Sequence, residues 1–381
     1  MIKASIRIFR LWGIPVEINV SWLLILTLVT WTFATGYYPF HFPDVFSVQE
    51  LWILGFITAI LMFLSILLHE FSHSLVASRN GLPIRKITLF IFGGVAQMDR
   101  EVDNPVVELK TATAGPLMTV VLVAIFYSLS LLLKEYLFAR ALLRSLTYLN
   151  IVLLIFNMVP GFPLDGGRIL RAAIWYRTGN LYRATRITSR IGRSFAFVLM
   201  ILGVAHLFSF PFSQNLWTLI YGMWFIFIGF FLRQAAQSSY LMVALKETLG
   251  HLRVADVMRT GVIVVDRSTN LITLVDDYFL KHHYNSFPVI GEDKLVGIVS
   301  LKDVKQVERE QWPVMTVENI MDGEIVKAAL HPSDSAEKLL HLIMKRGYGR
   351  LPVVDDDGNV VGVVTRRDLM EIFKMVTVLE E

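Results

Sequence analysis

Apolar residues gather in six long runs, near 19–36, 51–78, 106–133, 147–164, 195–212 and 215–234. A membrane-spanning helix needs about 20 mostly apolar residues, so each run reads as a span. The fourth is short and breaks into MVPGFPLDGG. Two stretches carry a different period. IRIFRLWGIPVEIN, ahead of the first run, alternates enough to suggest a short strand or hairpin, and ITLFIFGGVAQM at 87–98 reads as a strand interrupted by a glycine pair. From about residue 246 the long apolar runs stop and an internal repeat begins. VADVMRTGVIVVDRSTNL at 254–271 parallels VENIMDGEIVKAALHPSDS at 317–335, and FPVIGEDKLVGIVSLKDV at 287–304 parallels LPVVDDDGNVVGVVTRRDL at 351–369. Each unit reads strand, helix, strand–turn–strand, helix.

Charge sharpens this division. The 381 residues are 54% hydrophobic and only 18% charged, away from an average soluble domain. Residues 1–244 carry a net +9, whereas residues 245–381 carry −5, which implies two modules. The expected fold class is a polytopic α-helical membrane protein of about six spans with a C-terminal α/β soluble domain. The expected boundaries are a membrane domain over 1–236, a linker over 237–252, and the repeat pair over 253–378, divided into 253–310 and 316–378. Lys and Arg at membrane edges account for the basic balance, so no nucleic-acid partner is expected. The chain has no cysteine, which excludes disulfides and leaves His, Asp and Glu as metal ligands. The N-terminus lacks a continuous apolar core before a small-residue cleavage site, so no removable signal peptide is expected.

Positive residues set the orientation. Lys3, Arg7 and Arg10 precede the first span; Arg79, Arg85, Lys86 and Arg100 follow the second; seven arginines lie in 165–194, and Arg233 follows the last span. The segment 37–50 and the turn around 213 have none. Six spans then place both termini and the repeat domain in the cytoplasm, with the chain in the cell (inner) membrane. Lys134, Arg140 and Arg144 fall on the opposite side and disagree.

The candidate chemistry lies at the end of the second run, in SILLHEFSHSLVAS. His69 and His73 are four apart, on one helix face, and can offer two imidazoles to one zinc ion. Glu70 follows the first ligand and can act as general base on a zinc-bound water. The bland reading, a helix end with two ordinary histidines and an acid, is weakened by its place in an apolar span, where ionisable groups are expensive. A third protein ligand is needed. Asp165, in FNMVPGFPLDGGR, follows two prolines that break the run and could project it back into the membrane interior. Asp165 could instead cap a helix beginning at Gly166; beside a two-histidine motif, the ligand reading is preferred.

HEFSH in an early span with NMVPGFPLDGG in a later one resembles the site-2 protease family of intramembrane metalloproteases, and the chain as a whole resembles its prokaryotic members with C-terminal CBS domains. The resemblance implies a zinc endopeptidase acting in or near transmembrane segments of membrane-anchored regulatory proteins. It implies one Zn(2+) per chain on His69, His73 and Asp165, water activation by Glu70, and Asn157 at the scissile carbonyl or its oxyanion; a helix-packing amide is the alternative for Asn157. Gly93 and Gly94 resemble the family's strand near the site, where an unwound substrate could pair with an exposed edge; turn glycines in a loop would look the same. AGPLMT at 114–119 resembles a family stretch that commonly ends in Asn, but here holds Thr119. No PDZ-like insert is visible.

The repeat resembles a tandem CBS pair, and such pairs bind adenine nucleotides. ATP, ADP or AMP is therefore an expected ligand, with Ser300 and Thr365 on phosphate and Asp303 and Asp368 on ribose hydroxyls. The same Ser/Thr-x-x-Asp pattern can simply cap the following helix. A homodimer through the CBS domains is a further expectation. His282 and His283 read as a solvated helix face. The rival from another class is a CBS-regulated transporter or channel, whose membrane half should be repeated, with interrupted segments in both halves; interruption occurs here in one place.

Overall fold

The alternating N-terminal segment folds as a hairpin, β1 (Ser5–Leu11) against β2 (Ile14–Asn19). Trp12 and Gly13 both take positive φ, 47° and 83°, the two-residue turn whose twist suits paired strands. The structure is a computed structural model and describes residues 5–91, 93–98, 102–213, 216–250, 252–346 and 349–380. Lys3, Arg100 and positions 214–215 of the uncharged turn lie outside the described residues.

Strands β3 (Ile84–Phe90) and β4 (Gly93–Met98) complete one sheet in the order β1-β2-β3-β4, with β3 parallel to β2 and antiparallel to β4. Ile14, Val16 and Ile87 bury against Leu67 and Phe71, which seats the sheet beside the HEFSH turn. Lys86 binds Glu17 at 2.7 Å and the Ser5 hydroxyl donates to the same carboxylate at 2.6 Å. Those donors hold the Glu17 carboxyl below the usual carboxylate range.

The helices are α1 (Ser21–Thr32), running through a π turn into α2 (Tyr38–His41), then α3 (Val48–Arg79), α4 (Pro105–Leu132), α5 (Leu137–Asn157), α6 (Asp165–Thr178), α7 (Leu181–Ser213) and α8 (Leu216–Gly250). Among the described residues six helical segments are long and apolar enough to cross a membrane. Helix α3 starts at a capping box, Ser47 with Glu50, and at 1.5 Å per residue runs about 48 Å, longer than a hydrocarbon core of about 30 Å. His69 therefore lies about 15 Å in from its C-terminal end.

Span boundaries differ from the hydropathy reading most at the fourth, fifth and sixth spans. The fourth span is α5, Leu137–Asn157, rather than 147–164, so Arg140 and Arg144 belong to the helix. Long arginine stems can lie along an apolar helix while their heads reach the interface, which a hydropathy window does not credit. Helix α7 begins at Leu181, so Arg183, Arg186, Arg190 and Arg193 are helical as well. Likewise, 237–250 of the expected linker is the end of α8.

Contacts divide the chain into residues 1–240 and 241–381. The second unit contains α9 (Val254–Val257), β5 (Val265–Asp266), α10 (Leu271–Thr273), β6 (Ser286–Gly291), β7 (Lys294–Ser300), α11 (Leu301–Val304), α12 (Ala336–Arg346), β8 (Arg350–Val354), β9 (Val360–Thr365) and α13 (Arg366–Glu380). Strands pair β5-β6-β7 and β8-β9. Each repeat has its own core, one around Val265, Phe287 and Val299 and the other around Leu330, Leu351 and Val364.

Candidate metal centre

Helix α3 places His69 and His73 on one face, 3% and 4% exposed. Asp165 arrives from the other side of the fold as the first residue of α6. Leu164, not Asp165, occupies the N-cap, and no side chain caps that helix. The carboxylate is free to face the imidazoles: Oδ2 lies 3.0 Å from His69 Nε2, Oδ1 lies 3.2 Å from His73 Nε2, and the two Nε2 atoms are 3.2 Å apart. A tetrahedral ion with arms of about 2.0–2.1 Å has ligand–ligand edges of about 3.3 Å. The separations of the two nitrogens from each other and from the carboxylate oxygens thus come close to that edge length.

The outer partners decide where the protons sit. His73 Nδ1 lies 2.6 Å from the Thr111 carbonyl, which can only accept, so Nδ1 carries the proton. Thr119 donates its hydroxyl to the Gly115 carbonyl at 3.2 Å and so accepts from His69 Nδ1 at 2.8 Å. In neutral rings both Nε2 atoms would then turn their lone pairs towards each other and towards a carboxylate. That arrangement is repulsive by itself and suits a cation at the centre.

Both outer partners come from α4, which passes close to α3 at Gly115. A Cβ there would lie 2.2 Å from His73 Nε2 and 2.7 Å from His69 Nε2, so only glycine leaves room for the imidazoles. The AGPLMT stretch contributes Thr119 to a histidine, a role its departure from the family pattern did not suggest. The PGFPLDGG loop is equally tight: a Cβ at Gly167 would lie 2.2 Å from the Gly161 carbonyl carbon. This close folding turns the broken run back and delivers Asp165 to the site.

A cavity of about 290 Å³ opens beside the three residues, lined by Glu70, His73, Ser74, Gly94, Val95, Ala96, Met98, Phe162, Pro163, Asp165 and Arg168. Glu70 lines this cavity together with Ala96 of β4. The strand can run this close because residue 94 is Gly: a Cβ there would meet Glu70 Cγ at 2.5 Å. Gly93 pairs with Phe90 at the start of β4, and β4 pairs with β3 on one side only among the described strands. Asn157, the last residue of α5, is not among the cavity's described lining residues. Arg168, which in the sequence stands out only as one of several orientation charges, lines the cavity as well.

In the second unit, Ser300 with Asp303 and Thr365 with Asp368 form matching boxes at the starts of α11 and α13. Each hydroxyl donates to its carboxylate at 2.6 Å and each Ser or Thr backbone N–H at 2.8 Å. Arg259 reaches Asp368 at 2.6 Å. A cavity of about 480 Å³ is lined by Thr248, Leu252, Asp256, Val257, Arg259, Asp368, Glu371, Ile372 and Met375. It brings in Asp368 but not Thr365, Ser300 or Asp303.

A buried set of two histidines from a membrane-length helix and one carboxylate from the short α6, with a carboxylate-lined cavity beside it, points to a membrane-embedded metalloenzyme. The family model for peptidase family M50 matches residues 57–147 and 135–201, and that for the CBS domain matches 254–310 and 317–374. A protein of Synechocystis sp. named as a candidate zinc metalloprotease is 32% identical over 372 residues, covering 96% of this chain and 95% of its own. A zinc metalloprotease of Methanocaldococcus jannaschii is 27% identical over 377 residues, covering 99% and 98%. A solved site-2 protease from the same organism is 30% identical, covers 61% of this chain and 94% of its own, and superposes with a TM-score of 0.40. The chain belongs to the site-2 protease family of zinc metalloproteases, with a tandem CBS pair at its C-terminal end. The transporter reading is set aside.

Proposed function

We propose that His69, His73 and Asp165 are the protein ligands of the catalytic zinc, and that Glu70 is the general base. The enzyme would cut peptide bonds in or near transmembrane segments of membrane-anchored regulatory proteins. The observation that carries this is the buried cluster itself, with His69 Nε2 and His73 Nε2 lying 3.0 and 3.2 Å from the Asp165 carboxylate oxygens and 3.2 Å from each other. Bound zinc supplies a Lewis acid that lowers the pKa of a bound water to about 7 and polarises a carbonyl. Glu70 lines the adjoining cavity and is positioned to take a proton from the attacking water and pass it to the leaving amide nitrogen.

A helical peptide bond is shielded by its own helix, with its carbonyl engaged. The substrate must unwind, and the open edge of β4 at Gly93 and Gly94 offers an unwound segment a strand to pair with. Asn157 is assigned to the scissile carbonyl by family resemblance alone. The test is Glu70→Gln, purified with zinc and given a single-span substrate. Loss of cleavage with zinc retained is expected; cleavage by folded, zinc-loaded protein would refute the base.

The basic connections support cytoplasmic termini in an inner membrane. With no native cysteine, Asp44→Cys and Glu324→Cys report on opposite sides: the first should label in intact cells, the second only after permeabilisation. The CBS pair is read as an adenine-nucleotide sensor, with ATP, ADP or AMP near Asp368 and Thr365 and, in the other repeat, Ser300 and Asp303. The 480 Å³ cavity is large enough for a small ligand, although its lining carries three carboxylates and one guanidinium. Calorimetric titration of the full chain with each nucleotide decides it; no heat with any of them would remove the sensor role. Dimerisation through the CBS domains is tested by mass photometry in detergent.

A further inference from the structure

Glu108, one turn before Thr111 on α4, is fully buried (0% exposed), and Arg171, six residues beyond Asp165 on α6, is its partner. Arg171 Nε donates to Glu108 Oε1 at 2.9 Å, and a second guanidinium nitrogen donates to the same oxygen. Glu108 Oε2 has no hydrogen-bond partner among the described residues. The guanidinium also lies over the Phe162 ring, 4.9 Å from its centroid, and Phe162 lines the metal-centre cavity.

A buried ion pair is a poor device for stability, because desolvation offsets the attraction and an apolar pair of similar volume does as well or better. One with an unsatisfied oxygen is poorer still. Its placement gives a different reason. Helix α4 holds both histidines through Thr111 and Thr119, whereas α6 carries the carboxylate. The Glu108–Arg171 pair is a direct polar tie between these two helices, close to both sets of ligands.

We propose that Glu108 and Arg171 are positioning residues that set the distance of Asp165 from the two imidazoles, and so set zinc affinity and turnover. The proposal rests on the zinc assignment above. If His69→Ala held zinc as tightly as the parent, that assignment would fail before any tie variant was compared.

The test uses the full chain in detergent, with zinc affinity read by competition against a chromogenic chelator and stability by thermal melting. Either Glu108→Met or Arg171→Met alone strands a buried charge and should lower Tm. The double variant E108M/R171M should recover Tm while zinc binding stays at least tenfold weaker, within the 10–100-fold typical of losing an outer-shell partner. Its kcat should fall with little change in KM. A purely structural pair predicts that zinc affinity and kcat recover together with Tm, and that result overturns the proposal. If the double variant does not fold, Arg171→Lys and Glu108→Gln replace it. They keep a donor or an acceptor but lose the fork or the charge, and parental zinc affinity in both would be equally fatal.

Discussion

Replacing Gly115 by Ala adds one methyl at the closest approach of α4 to the metal centre. The new carbon would lie 2.2 Å from His73 Nε2, 2.6 Å from its Cε1 and 2.7 Å from His69 Nε2. Ordinary contacts between such atoms begin near 3.5 Å, so something must yield by about 1 Å. His73 cannot swing away without losing the 2.6 Å bond from Nδ1 to the Thr111 carbonyl. Metal–ligand distances tolerate about 0.2 Å, and a shift several times larger should weaken zinc binding by at least the 10–100-fold of a lost outer partner. Overpacking costs about 1–3 kcal/mol, while Gly→Ala within a helix returns about 1 kcal/mol, so the protein should still fold. Zinc content and chelator competition measure the affinity, and melting measures the fold. Gly55→Ala is the control: its Cβ would lie 2.6 Å from the Thr30 carbonyl oxygen, outside the metal centre, so it should cost stability and leave zinc affinity alone. Parental zinc affinity in Gly115→Ala would refute the assignment of this crossing to the metal site.

Thr119→Val removes the acceptor of the 2.8 Å bond to His69 Nδ1; zinc affinity should fall about 10–100-fold with the fold retained, and an unchanged affinity would show that His69 needs no partner there. Asp165→Asn keeps the size but loses the charge facing the two imidazoles, so metal analysis should find substoichiometric zinc. Glu17→Gln tests the tie between β2 and β3. Glu17 has its folded pKa below the unfolded value near 4.5, so the pair contributes stability in full above that value and loses it as pH falls through the lowered folded pKa. The Tm gap between parent and Glu17→Gln should be present at about pH 7 and close towards about pH 3; a gap of constant size would contradict the ion-pair account.

Much of this protein was legible in the order of its residues. The number of spans, the HEFSH pair on one helix face and the repeated α/β units follow from local periodicity and short spacings, which depend on backbone geometry and solvent preference alone, whereas the family follows from the resemblance carried by HEFSH and NMVPGFPLDGG. Boundaries were less legible, because Arg140, Arg144 and the arginines of α7 penalise a hydropathy window although long side chains can reach the interface. The tertiary structure alone decided what surrounds the three candidate ligands. That Thr111 and Thr119 fix the imidazole protons, that Gly115 makes room for both rings, and that Glu108 meets Arg171 depend on the contact of α4 with α3 and α6. Those pairs are separated by 38, 50 and 63 residues in sequence, and only packing brings them within hydrogen-bond reach. Asp165 lies between these limits. Its residue type and the prolines before it are consistent with either cap or ligand, and the folded loop puts Leu164 at the N-cap and the carboxylate 3.0 and 3.2 Å from two imidazoles, which favours the ligand reading.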